Sequence, residues 1–345
     1  MYLCNMNNNL ESKFPTVTLH FEIIYSIFIT IFISGTYYDA WSHTHIPELE
    51  TFFTPAHGLM YFGAGMVSIF IFYTMYKNSK LGYKFLNSMP VGYHYGFYGV
   101  LTFMIMGLGD LIWHELFGIE TELEAAFSPT HLGLMTGIAL ITGTPLFSAW
   151  NRREEIRNKR FVELIPLIIS ISMFLSGMTV ITQWAHLYVE LYPTYPNANT
   201  SMIQTLGIQA VILQTSIIMG LTLIIVHDRL LPTGSLSIIF TINALFLSLM
   251  RDTYFVILST LLAGLFIDLL YWKMRPSKTN LNKYRLFSMI TPVIFYTSYY
   301  LILNLSETII WSIHMITGSI FMAASVSLLI SILVVPSSII EDRKN

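Results

Sequence analysis

Apolar runs recur along this chain at about residues 19–38, 54–76, 91–113, 129–150, 162–187, 202–226, 234–250, 253–272, 286–304 and 308–334. Each is close to the roughly 20 residues a helix needs to cross the hydrocarbon core of a bilayer. The composition agrees: 54% of residues are hydrophobic, 11% are charged and the mean hydropathy is +0.60, which describes a chain whose preferred solvent is lipid. The runs predict an all-α polytopic membrane protein of about ten transmembrane helices arranged as tandem helical hairpins. Only "RDT" separates the seventh run from the eighth, so a kinked or re-entrant pair is the alternative there.

The cations set an expected orientation. Lys77, Lys80 and Lys84, the run "RREEIRNKR" from Arg152, then Arg229, the tract from Lys273 to Arg285, and Arg343 with Lys344 fall in alternate loops, so 16 of the 18 basic residues share one face. By the positive-inside rule that face is cytoplasmic; Lys13 joins it, both termini are inside, and Arg251 stands alone outside. No small-residue cleavage site follows the first run, so no removable signal peptide is expected. The chain divides into an N-terminal cytoplasmic segment (1–18), four helices (19–150), six further helices of no assigned role (151–340) and a cytoplasmic tail (341–345). A net charge of -2 gives no reason to propose nucleic acid as a partner. The bilayer is the expected one.

Polar residues concentrate at the other face. Seven histidines of ten, His43, His45, His57, His114, His131, His186 and His314, map to extracytoplasmic helix ends. Residues 37–61, "YYDAWSHTHIPELETFFTPAHGLMY", and 110–134, "DLIWHELFGIETELEAAFSPTHLGL", follow one grammar: Asp, three residues, His, an acidic loop, then Thr or Ser, Pro, any residue, His. Asp39 and His43, like Asp110 and His114, stand four apart and share a helix face. Thr54 or Ser128 as N-cap, with Pro55 or Pro129 at the first helical position, puts His57 and His131 in the first turn of the next helix. Each hairpin therefore gathers one carboxylate and two imidazoles near the outer membrane boundary. Such a set suits copper, iron or zinc, and imidazole alone does not choose among them. The single Cys4 leaves any metal chemistry to histidine and carboxylate.

Fainter echoes follow. "TQWAHLYVE" places His186 and Glu190 at helical spacing, "SMIQTLGIQA" puts Gln204 where His131 stood, and "SETIIWSIHMITG" supplies Glu307 and His314. The series reads as five tandem hairpins, of the kind parallel repeats build in membranes, with the full donor set in the first two only. The competing reading of both triads is that they only cap helices and bond loop amides. His45, Glu115, Glu120, Glu122 and Glu124 need no role beyond solvation, His20, His94 and His227 lie toward the cytoplasmic face, and Trp41, Trp113, Trp184 and Trp311 fit an interfacial belt.

On these residues the first hairpin resembles a metal-binding membrane component of the copper membrane monooxygenases, the particulate methane and ammonia monooxygenases, in which Asp, three residues and His precede a second His in a context such as "FTPAH". That pentapeptide stands verbatim at residues 53–57. The second hairpin, with "WHELFG" and "SPTH", is similar to the family's second metal motif, and the two follow in family order over about residues 20–150. The resemblance implies copper at Asp39, His43 and His57, a neighbouring copper at Asp110, His114 and His131, and hydroxylation of a small apolar or ammonia-like substrate. It also implies partner subunits. The His43–His57 spacing is one residue longer than the family's, the second loop is longer, and Asp110 stands where the family shows Asn; an anionic ligand there holds a divalent ion more tightly.

Three alternatives remain at this point: a zinc-dependent intramembrane hydrolase with Glu115 or Glu124 as base, a non-catalytic metal-binding subunit of a larger complex or homo-oligomer, and bis-histidine haem binding. Asn199 in "NTS" and Asn304 in "NLS" are glycosylation acceptors in loops expected outside.

Overall fold

The computed structural model describes residues 14–46, 54–118 and 127–336. Cys4, Lys13, the loop acids Glu120, Glu122 and Glu124, and the tail with Arg343 and Lys344 lie outside them. Among the described residues the chain has no β-strand and ten long helices: α1 Leu19–His45, α2 Pro55–Lys80, α3 His94–Phe117, α4 Pro129–Asn151, α5 Phe161–Ile181, α6 Ser201–His227, α7 Ser235–Arg251, α8 Phe255–Met274, α9 Leu281–Ser306 and α10 Ile313–Val334. Nine are long and apolar enough to cross a membrane, and α7, at 17 residues, is shorter. The seventh and eighth runs are two separate helices rather than one kinked one. Asp252 takes a left-handed conformation, φ 57°, which Asp tolerates better than most residues, and α7 packs back on α8.

Two compact units divide the chain, Met1–Ile181 and Thr182–Asn345. In the first, α1 pairs with α2 and α3 with α4, while α5 lies against α1 and α4. In the second, α7–α8 and α9–α10 are hairpins, α8 also packs on α9, and α6 lies against α10. Four of the five expected hairpins are thus adjacent pairs, and the third is split by the unit boundary.

The fifth apolar run behaves differently from its hydropathy. Its helix ends at Ile181, so His186 and Glu190 sit in an irregular segment with short 3-10 turns at Gln183–Ala185 and Tyr192–Thr194, not on a helix as their spacing predicts. The reason is a side chain on α6: the Gln214 amide donates to the carbonyls of Ala185 at 2.8 Å and Thr182 at 3.4 Å, taking over acceptors that a continued helix would have filled.

Prolines inside helices are compensated across the bundle. Pro145 in α4 has no N–H, which strands the carbonyl of Ile141 four residues back, and the buried Tyr25 hydroxyl of α1 donates to it at 2.9 Å. Pro292 in α9 strands the Ser288 carbonyl, and the Ser327 hydroxyl of α10 donates to it at 2.6 Å. In lipid no water is at hand to substitute. Tyr25→Phe is expected to lower stability by about 1–3 kcal/mol, the cost of an unpaired buried acceptor, read as a fall in thermal midpoint; a midpoint unchanged from wild type contradicts this role.

Close approach of α1 and α2 depends on glycine. A Cβ at Gly35 would stand 2.6 Å from the Met60 Cα, and one at Gly63 would stand 2.5 Å from the Phe32 Cα. Gly35 lies one turn before Asp39, so the two backbones run nearly in contact just beneath the hairpin tip.

Candidate metal centre

Helix length brings the tip to the edge of the membrane. The 27 residues of α1 extend about 40 Å at 1.5 Å per residue, more than the roughly 30 Å hydrocarbon core. Asp39 and His43 occupy the last two turns. Across the turn, the Thr54 hydroxyl accepts from the His57 amide at 3.0 Å with Pro55 first in the helix, and the Ser128 hydroxyl accepts from the His131 amide at 3.3 Å with Pro129 first. Each cap satisfies one orphan donor of the opening turn and sets the following histidine facing its partner helix.

Both triads assemble. Asp39 Oδ2 is 3.8 Å from His43 Nε2, and Asp39 Oδ1 is 3.3 Å from His57 Nε2. Asp110 Oδ2 is 3.3 Å from His114 Nε2, and Asp110 Oδ1 is 3.5 Å from His131 Nδ1. The imidazole pairs are alike in arrangement, with ring centroids 6.0 Å apart at 61° for His43 and His57 and 5.7 Å apart at 69° for His114 and His131. In each set the three donor atoms lie within 4.8 Å of one another. Ligand bonds of roughly 2.0–2.2 Å place two donors on one ion about 2.8–3.6 Å apart at angles between 90° and tetrahedral. The carboxylate–imidazole distances are at or just above that window, so a single ion fits each set after a small closure.

The two sets differ in how their carboxylates are held. Thr130 donates to Asp110 Oδ1 at 2.7 Å, and the Asp110 side chain is only 3% exposed. In the first hairpin the equivalent position is Ala56, and Asp39 Oδ1, buried, has no hydrogen-bond partner. A buried carboxylate oxygen facing an imidazole with no other donor is an acceptor that a cation would satisfy. Around the second set, His114 Nδ1 points at the Gly118 carbonyl, 3.4 Å away, and His131 Nδ1 lies 2.6 Å from the Ser128 hydroxyl. Such outer contacts hold imidazole ligands in orientation.

The two sets are neighbours. Asp39 lies within electrostatic reach of Asp110 and His131, and Tyr61, one turn after His57, lies within reach of both carboxylates. Its ring centroid is 6.3 Å from that of His57, and its hydroxyl end rests on Gly107, one turn before Asp110. Sequence reasoning missed Tyr61 and Thr130; their signal was positional, Tyr61 four residues after a ligand and Thr130 the one polar difference between "TPAH" and "SPTH".

The remaining histidines take other roles. His45 stacks on Trp41, ring centroids 4.7 Å apart, and its Nδ1 lies 2.9 Å from the Trp41 carbonyl. His186 is buried in the second unit and its Nδ1 accepts from the Tyr188 amide at 3.0 Å; burial pushes the imidazole down to about 3, which keeps it neutral. His314 is exposed in the first turn of α10. Glu115 is exposed and belongs to neither donor set.

Fold and site together define a polytopic α-helical membrane protein with two neighbouring aspartate–bis-histidine clusters, each able to hold a metal ion, at one end of its first unit. No protein family, characterised protein or solved structure matches the chain.

Proposed function

We propose that the chain is a copper-binding membrane oxidoreductase of the monooxygenase type, or the metal-binding subunit of one, acting on a small apolar or ammonia-like substrate at the extracytoplasmic face. The observation that carries this reading is the repetition: two consecutive hairpins place the same three donors at the same helical positions, in the order and motif context of the copper membrane monooxygenases that they resemble. Copper at such a site supplies the redox chemistry of oxygen activation. The chain's own part is to orient and exclude. Thr130 and the helix caps fix the donors, Tyr61 and Phe103 form the aromatic wall between the sets, their ring centroids 5.8 Å apart, and the α1–α2 contact closes the floor.

Orientation follows from the first unit itself. Lys77, Lys80 and Arg152 lie at the helix ends opposite the two triads, so the positive-inside rule puts the triads outside. The hydrolase alternative asks for a carboxylate base beside the metal, and the exposed Glu115 does not offer one.

The test is metal content after purification from cells given copper and zinc in equal supply, followed by electron paramagnetic resonance and an oxygen-dependent oxidation assay with candidate small substrates, alone and with co-purifying subunits. Copper retained with imidazole nitrogen coupling, and oxidation that disappears in His57→Ala or His131→Ala, is the expected result. Zinc retained in preference to copper would return the hydrolase reading; copper retained without oxidation, in the presence of every co-purifying protein, would leave a metal-binding role only.

A further inference from the structure

The second unit carries a groove of about 560 Å³ between α8 and α9, separate from the metal sites. Its wall on α8 is a helical stripe, Leu262, Phe266, Leu269 and Lys273, and on α9 it includes Thr297 and Leu301. Phe266, Leu269 and Leu301 are each more than half exposed, so the groove opens sideways, toward the hydrocarbon of a bilayer around the span. Lys273 is the one charged residue in the lining. It ends the stripe in the last turn of α8, next to the exposed Trp272, the kind of aromatic that settles at headgroup level.

Charge and depth identify the occupant. Lys278 is paired with Asp228 at 2.7 Å, and Asp268 is buried, accepting from Ser237; Lys273 has no acidic partner among the described residues. An ammonium left unpaired at the mouth of an apolar groove calls for an anion with an apolar tail. From Lys273 to Leu262 the stripe covers eleven residues, about 17 Å at the helical rise, which matches one leaflet, half of the roughly 30 Å core. We propose that this groove binds one anionic phospholipid, its phosphate on Lys273 and one acyl chain laid along α8 toward Leu262.

Native mass spectrometry of the delipidated full chain, offered equal phosphatidylglycerol and phosphatidylcholine of identical acyl chains, tests this. Retention of phosphatidylglycerol is expected to exceed that of phosphatidylcholine about fivefold, the effect of one basic group at a membrane surface. Lys273→Gln is expected to equalise the two, and Thr297→Trp, which fills the groove, to lower both. Equal retention by the wild type, a preference that survives Lys273→Gln, or adducts unchanged in Thr297→Trp overturns the proposal. So does a chain-to-chain disulfide formed in liposomes by Leu269→Cys in a Cys4→Ser background, which would assign the groove to a second copy. The wild-type and Lys273→Gln comparisons decide the matter even if the tryptophan variant fails to fold.

Discussion

Asp110→Ala is expected to weaken metal binding at the second hairpin by at least about a hundredfold, beyond the 10- to 100-fold typical of losing an outer-shell partner. Its carboxylate reaches both imidazoles of the set, 3.3 Å from His114 and 3.5 Å from His131, and without it two neutral rings remain to hold a divalent ion. The first hairpin should keep its ion, because its own carboxylate, Asp39, is untouched. Competition titration with a chromophoric chelator reads both affinities. Loss of both ions together would show one shared site, and loss of neither would remove Asp110 from the ligand set.

Arg152→Ala is expected to cost about 3–5 kcal/mol, the penalty for leaving a buried carboxylate without its partner. At the end of the first unit opposite the triads, Arg152 Nη2 meets Glu22 Oε1 at 2.7 Å, with side chains 10% and 6% exposed, and Lys159 stands 3.6 Å from the same carboxylate. The pair ties the first turn of α1 to the end of α4. Because the cost comes from the stranded charge, the double variant Glu22→Leu/Arg152→Leu should recover much of the loss in thermal midpoint. A double variant less stable than Arg152→Ala alone would show that the pair itself, rather than the isolated carboxylate, carries the effect.

Much of this was legible along the chain, for a physical reason. Hydropathy over some twenty residues reports burial in lipid whatever the neighbours are, so all ten helices were readable. Local rules also sufficed for the donors: a four-residue step puts Asp39 with His43 and Asp110 with His114 on one face, and a capping hydroxyl followed by proline starts the next helix two residues before His57 or His131. What a sequence does not display is which helix lies opposite. The end of α5 at Ile181 depends on Gln214, more than thirty residues later. The tolerance of Pro145 depends on Tyr25, and that of Pro292 on Ser327. Tyr61 lies near both donor sets only because α2 and α3 pack side by side.

The same distinction explains the two carboxylates. "TPAH" and "SPTH" look like conservative versions of one motif, yet Ala56 in place of Thr130 leaves Asp39 Oδ1 without a hydrogen bond while Asp110 Oδ1 has one. The first site is therefore the one whose protein groups leave more coordination to an ion, and the second is the drier and more firmly held.

The most direct measurement is an anomalous difference map at the copper edge from copper-loaded crystals of the full chain. Two peaks are predicted, one within about 2.0–2.2 Å of donor atoms from Asp39, His43 and His57 and one likewise placed among Asp110, His114 and His131. A map with metal elsewhere, or none at either hairpin tip, would contradict the account.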